Sequence, residues 1–273
     1  MRKKHPFTVH ESKIFTKFRK YLEKYKIIKL KNCKIGKKVQ ILNKEWLDQF
    51  LYFVFLSYCG FKFDNNKCCI NLTSERNLGN LHIYPSIDFT PFVTGIHENP
   101  ELLFNSLISI YLASFFCFDI LFTNTYIAEL GKNTHELDIC GCIHQNGKNY
   151  YIIIETTRGG FDKLTENYIS ERDKTLNWHF KKAVFKKWAI EKIFQIDCYL
   201  IYLSIKPIPI LSKKYEDNFI KNILEKDKKI KLVQVYNSGP IIIGLTPFSK
   251  EKVLNNFYQQ IIDPIVEQIN TFL

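Results

Sequence analysis

The sequence predicts an α/β protein whose second part runs α-β-β-β-α-β behind a basic N-terminal α+β region. Three observations carry this. The Asn146-Gly147 pair separates two strand-like runs, Glu136–His144 and Asn149–Thr157, and Asn-Gly is a strong hairpin signal. Leu102–Phe118 carries no charge over 17 residues and follows Pro100, which suits the first turn of a helix. A helical stretch from about Glu171 to Phe194 leads into a strongly apolar strand, Ile196–Ile205.

The first helix is expected over Glu11–Tyr25, where Ile14, Phe15, Phe18, Tyr21, Leu22 and Tyr25 fall at helical spacing. Two short strands, Ile27–Leu30 and Val39–Leu42, flank the basic turn Lys34-Ile35-Gly36-Lys37-Lys38. A second helix follows over Lys44–Tyr58, and residues 60–97, punctuated by Gly, Asn and Pro, read as irregular. The next helix runs from Pro100 to about Cys117, and Phe118–Ala128 reads as a strand ahead of the hairpin. Strands near Lys231–Tyr236 and Pro240–Leu245 flank a Ser238-Gly239 turn. A last helix spans Lys250–Phe272, with Pro264 placed to kink or split it. The division expected is 1–97, a basic nucleic-acid-binding region, and 98–273, an α/β domain.

The net charge of +12 is unevenly spread. Residues 1–40 hold 14 Lys/Arg against Glu11 and Glu23, so the remaining 233 residues balance at 25 basic and 25 acidic. A basic block on a neutral body reads as a footprint for phosphates, with an anionic membrane or a merely solvated face as the other readings. Lys17, Arg19, Lys20, Lys34, Lys37 and Lys38 are its candidate contacts, joined further on by Arg158 and Lys174. Charged residues at 24% and hydrophobic residues at 46% exclude a globally disordered chain. The eight cysteines form no CxxC pair, which argues against a zinc ribbon. Cys59, Cys117 and Cys198 lie in apolar runs and read as buried thiols. Met1–Pro6 is not followed by an apolar stretch, so the thiols are expected reduced and the protein cytoplasmic. Leu102–Phe118 reads as a buried core helix in preference to a membrane span, since Asn105, Ser106, Ser109 and Ser114 interrupt it.

Chemistry is expected where the hairpin opens. The start of one strand lies beside the end of the next, so Asp138 and Glu155 converge. Two neighbouring carboxylates repel unless one is protonated or a cation lies between them, and oxygen ligands favour Mg²⁺ or Mn²⁺. The carbonyl of Thr156 is a further candidate metal ligand, and Thr157 shares the face of Glu155. The plain alternative is that strand ends carry acids because they reach water. His135 abuts this point, and His179 lies on the basic helix. No Walker-type loop or serine triad stands out.

On these residues, 98–205 resemble the PD-(D/E)XK nuclease superfamily, whose restriction-endonuclease-like core is a central mixed sheet flanked by helices. The resemblance implies that Asp138 and Glu155 hold the metal and that the first helix adds an acid, Glu101 or else Glu98. Glu155-Thr156-Thr157 departs from the pattern, because Thr157 stands where the resemblance expects a lysine that orients the attacking water. The resemblance allows that cation to come from the following helix, with Lys181 or Lys182 expected there, anchored by Trp178 and Phe185. Lys174, Arg158 and Lys163 are the other cations near by. The function expected is Mg²⁺-dependent endonucleolytic hydrolysis of DNA, of restriction or defence type. RNA and a homodimer are left open, and no membrane partner is expected. The alternative is a nuclease-like nucleic-acid-binding module without catalysis.

Overall fold

The structure is a computed structural model that describes residues 5–10, 12–58, 62–73, 80–130, 136–158, 166–205, 218–235 and 250–273. Strand β1 (Val9–His10) precedes helix α1 (Lys13–Lys24), whose Phe15, Phe18 and Leu22 are buried along one stripe. Strands β2 (Ile28–Asn32) and β3 (Lys37–Ile41) form an antiparallel hairpin, and α2 (Lys44–Tyr58) follows. Gly36, at φ +86°, closes the hairpin turn; a Cβ there would meet the Phe118 carbonyl at 2.3 Å, so only glycine lets the turn approach so near.

Residues expected to be irregular instead contain a small antiparallel sheet, β4 (Lys62–Asp64), β5 (Cys69–Thr73) and β6 (Asn80–Ile83), and a short helix α3 (Val93–Glu98). Strands this short carry too few alternating positions to stand out from the Asn-rich turns between them. Helix α4 (Pro100–Phe115) is buried over most of its length.

Next comes an antiparallel meander of β7 (Phe118–Ile127), β8 (Leu137–Gln145) and β9 (Lys148–Arg158). Asn146 and Gly147 both take positive φ, 52° and 77°, as a two-residue primed turn requires. Helix α5 (Glu166–Phe194) begins about five residues before its expected start and returns the chain to β10 (Cys198–Ile205), which pairs parallel with β9. Helix α6 (Asn218–Lys226) has no counterpart among the expected elements; its Ile220, Ile223 and Leu224 pack at i, i+3, i+4 spacing. Strand β11 (Ile230–Val235) adds parallel to β10. Helices α7 (Lys250–Phe257) and α8 (Asp263–Phe272) join through a π-helical turn, Tyr258–Ile262. Pro264 accounts for that turn, since its ring crowds the carbonyl of Gln260 and it donates no hydrogen bond. The strand expected at Pro240–Leu245 and the Ser238-Gly239 turn lie outside the described residues.

The α-β-β-β-α-β order is therefore α4-β7-β8-β9-α5-β10, and the protein is a mixed α/β fold around a mostly antiparallel mixed sheet flanked by helices. The sheet runs β11-β10-β9-β8-β7-β3-β2, with β1 also on β7. Residues on both sides of the expected boundary near residue 97 thus build one sheet. They also share one core, in which α1, α2, α4 and the C-terminal helices cover one sheet face with residues such as Phe50, Phe104, Ile152 and Leu203. On the other face Tyr151, Ile153, Leu200 and Tyr202 pack against Phe180, Val184 and Ile190 of α5.

Two expectations about cysteine need correction. Cys33 and Cys117 form a disulfide across 84 positions, with their Cα atoms 6.3 Å apart. Cys117 is thus not a buried thiol, because the hairpin turn and the end of α4 bring the two sulfurs together. Nor are all the thiols reduced, since this pair is oxidised. Cys198 is buried and free, as expected, whereas Cys59 lies outside the described residues. Among the described residues no helix is long and apolar enough to cross a membrane.

Candidate active site

Sheet register builds the site. The β8–β9 ladder ends at Ile139↔Ile154, and Asp138 and Glu155 are the next residues beyond it on their two strands. Side chains alternate along β9, so Glu155 follows Tyr151 and Ile153 onto the α5 face while Thr156 follows Ile152 and Ile154 onto the α4 face. Tyr202 of β10 is paired with Glu155, and its ring meets Phe180 of α5 at 5.3 Å between centroids.

Helix α5 lays a basic face over these acids. Lys186 forms an ion pair with Glu155 Oε2 and donates to the Glu136 carbonyl at 2.6 Å. It is 11% exposed and its carboxylate partner 9%, so the pair is largely withdrawn from solvent. His179, Lys182 and Lys186, at i, i+3 and i+7, share this face. Lys182 is held below its ordinary pKa by burial and by Lys186, with Glu155 and Asp138 pulling the other way. His179 is lowered by burial, then by Lys182 and Lys186. On the acid side, burial and then the Asp138 charge push Glu155 up to about 8, against the opposing pull of Lys186. Burial also raises Asp138, and burial with the Asp138 charge raises Glu136. Glu155 Oε1 is buried without a hydrogen-bond partner.

A buried polar chain enters from α4. Thr156 donates its amide to Asp138 Oδ2 at 2.6 Å, and its hydroxyl lies 3.0 Å from both Asp138 Oδ2 and Asn105 Oδ1. A hydroxyl has one proton, so it can serve only one of these two oxygens. Asn105 Nδ2 is buried with no partner. Turning the Asn105 amide over resolves both facts, because Nδ2 then donates to the Thr156 hydroxyl, which in turn donates to Asp138.

The structure thus brings together Asp138, Glu155, Thr156 and Lys182. Thr156, expected to lend a carbonyl, meets Asp138 with its amide and hydroxyl. Glu101 lies exposed in the first turn of α4, and it is Asn105, one turn further on, that reaches the site. Lys181 is turned about 100° away from Lys182, off the face that carries Lys186. The anchoring expected of Phe185 is wrong: it is 64% exposed, and Phe180, Ala183, Val184 and Lys187 hold this stretch of α5 to the core. Sequence reasoning missed Lys186 and Asn105. Lys186 sits one turn after Lys182, and Asn105 is a polar residue inside an apolar helix, which is the signal that points to it.

Arg158 ends β9 and Lys174 lies on α5, but their side chains are outside what is described, as is that of Trp178; His135 and Lys163 are outside the described residues altogether. In the basic block Lys17, Lys20, Lys34 and Lys37 are exposed and Arg19 and Lys38 half-buried. Lys37 pairs with Phe118 at the start of β7, whereas Ile139, next to Asp138, pairs with Thr123. The basic turn is therefore displaced along β7 from the acids by about five residues, roughly 17 Å.

Among the described residues no group of three or more His, Cys, Asp or Glu is arranged to hold a metal ion. Asp138 and Glu155 offer a two-carboxylate oxygen site with one orphaned oxygen, which suits Mg²⁺, a cation that commonly keeps its waters and takes one or two carboxylates. Comparison with protein-family models, with curated proteins and with solved structures finds no match for this chain.

Proposed function

We propose that the protein is a Mg²⁺-dependent endonuclease that hydrolyses phosphodiester bonds of DNA, with a restriction-endonuclease-like core. The observation that carries this is Lys186, which brings to Glu155 from α5 the cation that Thr157 of β9 does not supply. Asp138 and Glu155 would hold the metal, which when bound polarises the phosphodiester and makes water a better nucleophile. Lys186 has three protons; Glu155 and the Glu136 carbonyl take two, leaving one for a phosphate oxygen or the attacking water. Asn105 and Thr156 fix the Asp138 carboxylate, so its orientation is set before substrate arrives. The exposed lysines of α1 and the β2–β3 turn would take backbone phosphates and orient the strand.

The test is plasmid nicking with Mg²⁺, with and without EDTA. Lys186→Ala should lower turnover roughly a hundredfold with little loss of DNA affinity. Absence of Mg²⁺-dependent nicking of DNA or RNA by the wild type, with no gain from Thr157→Lys, would favour a second reading. That reading, a non-catalytic nucleic-acid-binding module, is supported by Thr157 and by a Lys186–Glu155 pair that already satisfies one carboxylate oxygen.

A further inference from the structure

One opening lies away from the acid pair. A cavity of about 330 Å³ sits between α1, the β2–β3 hairpin, α4 and the first residues of β7. Its origin is a split in the sheet. Strands β3 and β7 pair only at Lys37↔Phe118, and β1 takes the same edge of β7 only at Tyr126 and Ile127. Between these points, among the described residues, that edge of β7 has no ladder partner. The register of β7 also slips between Phe118 and Ile120, a bulge that bends the strand beside the opening.

The walls combine two chemistries. Phe15, Val39 and Ile110 are apolar, while Asn32 and the unladdered strand edge offer donors and acceptors; the Asp119 carboxylate is already paired with His5 at 3.1 Å. Arg19 and Lys37 add positive charge, and Lys34 lies in the turn whose Cys33 and Gly36 complete the wall. Arg19 Nε is buried without a hydrogen bond; its nearest acid, Glu23, is 3.7 Å away, while the guanidinium lies over the Phe15 ring. The volume is at the small end of ligand pockets, roughly 300–1,000 Å³, which suits one ring system with a short polar extension.

We propose that this cavity binds a single nucleotide, its base between the apolar walls with its edge on Asn32 and the open side of β7, and its phosphate on Arg19 and Lys37. The nucleotide is either free or one residue of a strand lying on the basic face. The site stands independently of any reaction at Asp138 and Glu155.

The experiment is calorimetric titration of the disulfide-bonded protein with AMP, GMP, CMP and UMP, with a trinucleotide, and with ribose 5-phosphate. At least one mononucleotide or the trinucleotide should saturate at one site, with ribose 5-phosphate at least tenfold weaker. Saturation by mononucleotide identifies a free ligand, and saturation by the trinucleotide alone identifies a strand residue. Arg19→Gln and Lys37→Ala should each weaken binding several-fold, and Ala113→Phe, which fills the cavity, should remove it in a protein that still unfolds cooperatively. If Ala113→Phe does not fold, the two cation variants decide alone. No saturation by any nucleotide, equal binding of ribose 5-phosphate, or unaltered affinity in the cation variants would overturn the proposal.

Discussion

Replacing Glu155 by Gln should make the protein more stable at alkaline pH, by an amount that grows with pH. Burial and the neighbouring Asp138 charge raise the Glu155 carboxyl to about 8 in the folded state, from its ordinary value of 4.5. A carboxyl whose folded pKa is raised costs nothing below its unfolded pKa, where both states hold the proton. Above it, folding must retain a proton that the unfolded chain has released, and stability falls until the folded carboxyl ionises. At 1.36 kcal/mol per pH unit, the three units from pH 5 to pH 8 amount to about 4 kcal/mol. Gln keeps an oxygen for Lys186 and removes the titration. Urea unfolding of both proteins at pH 5, 6.5 and 8, with EDTA present, isolates the effect, because titrating groups not coupled to Glu155 cancel in the difference. The gap should move by about 4 kcal/mol in favour of Glu155→Gln between pH 5 and pH 8. A gap that stays constant across this range would refute the assignment of a buried, charge-opposed carboxyl.

Charge reversal at Lys34, Lys37 and Lys38 should lower nucleic-acid affinity and reduce the salt slope by roughly 0.9 for each phosphate left unneutralised on duplex DNA; filter binding from 50 to 200 mM salt measures both. Asp138→Ala and Glu155→Ala should each abolish calorimetric Mn²⁺ binding, and unchanged binding in both would remove the metal from this pair. Reducing the Cys33–Cys117 disulfide, or replacing both residues by Ser, should lower unfolding free energy by several kcal/mol. The chain-entropy relation for the 84-position separation gives about 4.5 kcal/mol, checked by urea unfolding with and without reductant.

The legible parts of the fold are those where one signal governs a whole element. Asn146-Gly147 marks the hairpin, and hairpin geometry then places Asp138 beside Glu155. The apolar run of α4 declares a buried helix because nothing charged interrupts it. Illegible parts depend on distant chain. Strand β1 has two residues and exists only because β7 offers an edge to it. The disulfide depends on the turn at Gly36 meeting the end of α4, which no local spacing encodes. At the site, strand parity leads to the acids, but the lysine comes from where α5 crosses the sheet. Lys181, Lys182 and Lys186 differ little in sequence context, and only the angle of that crossing separates them.

The alternation of β9 has a consequence that reaches back to its turn. Glu155 and Thr156 are neighbours in sequence but point through opposite faces of the sheet, one toward Lys186 and one toward Asn105. One residue inserted at Asn146-Gly147 would advance the whole strand by a single step and exchange those two destinations. Every residue of the site would still be present, yet the hydroxyl would face the lysine and the carboxylate would be driven against the buried amide. The address of the chemistry is therefore kept eight residues away from Glu155, in a two-residue turn that touches none of it. Descendants of this chain that lengthen that turn would have to lose a residue elsewhere in the hairpin or lose the site.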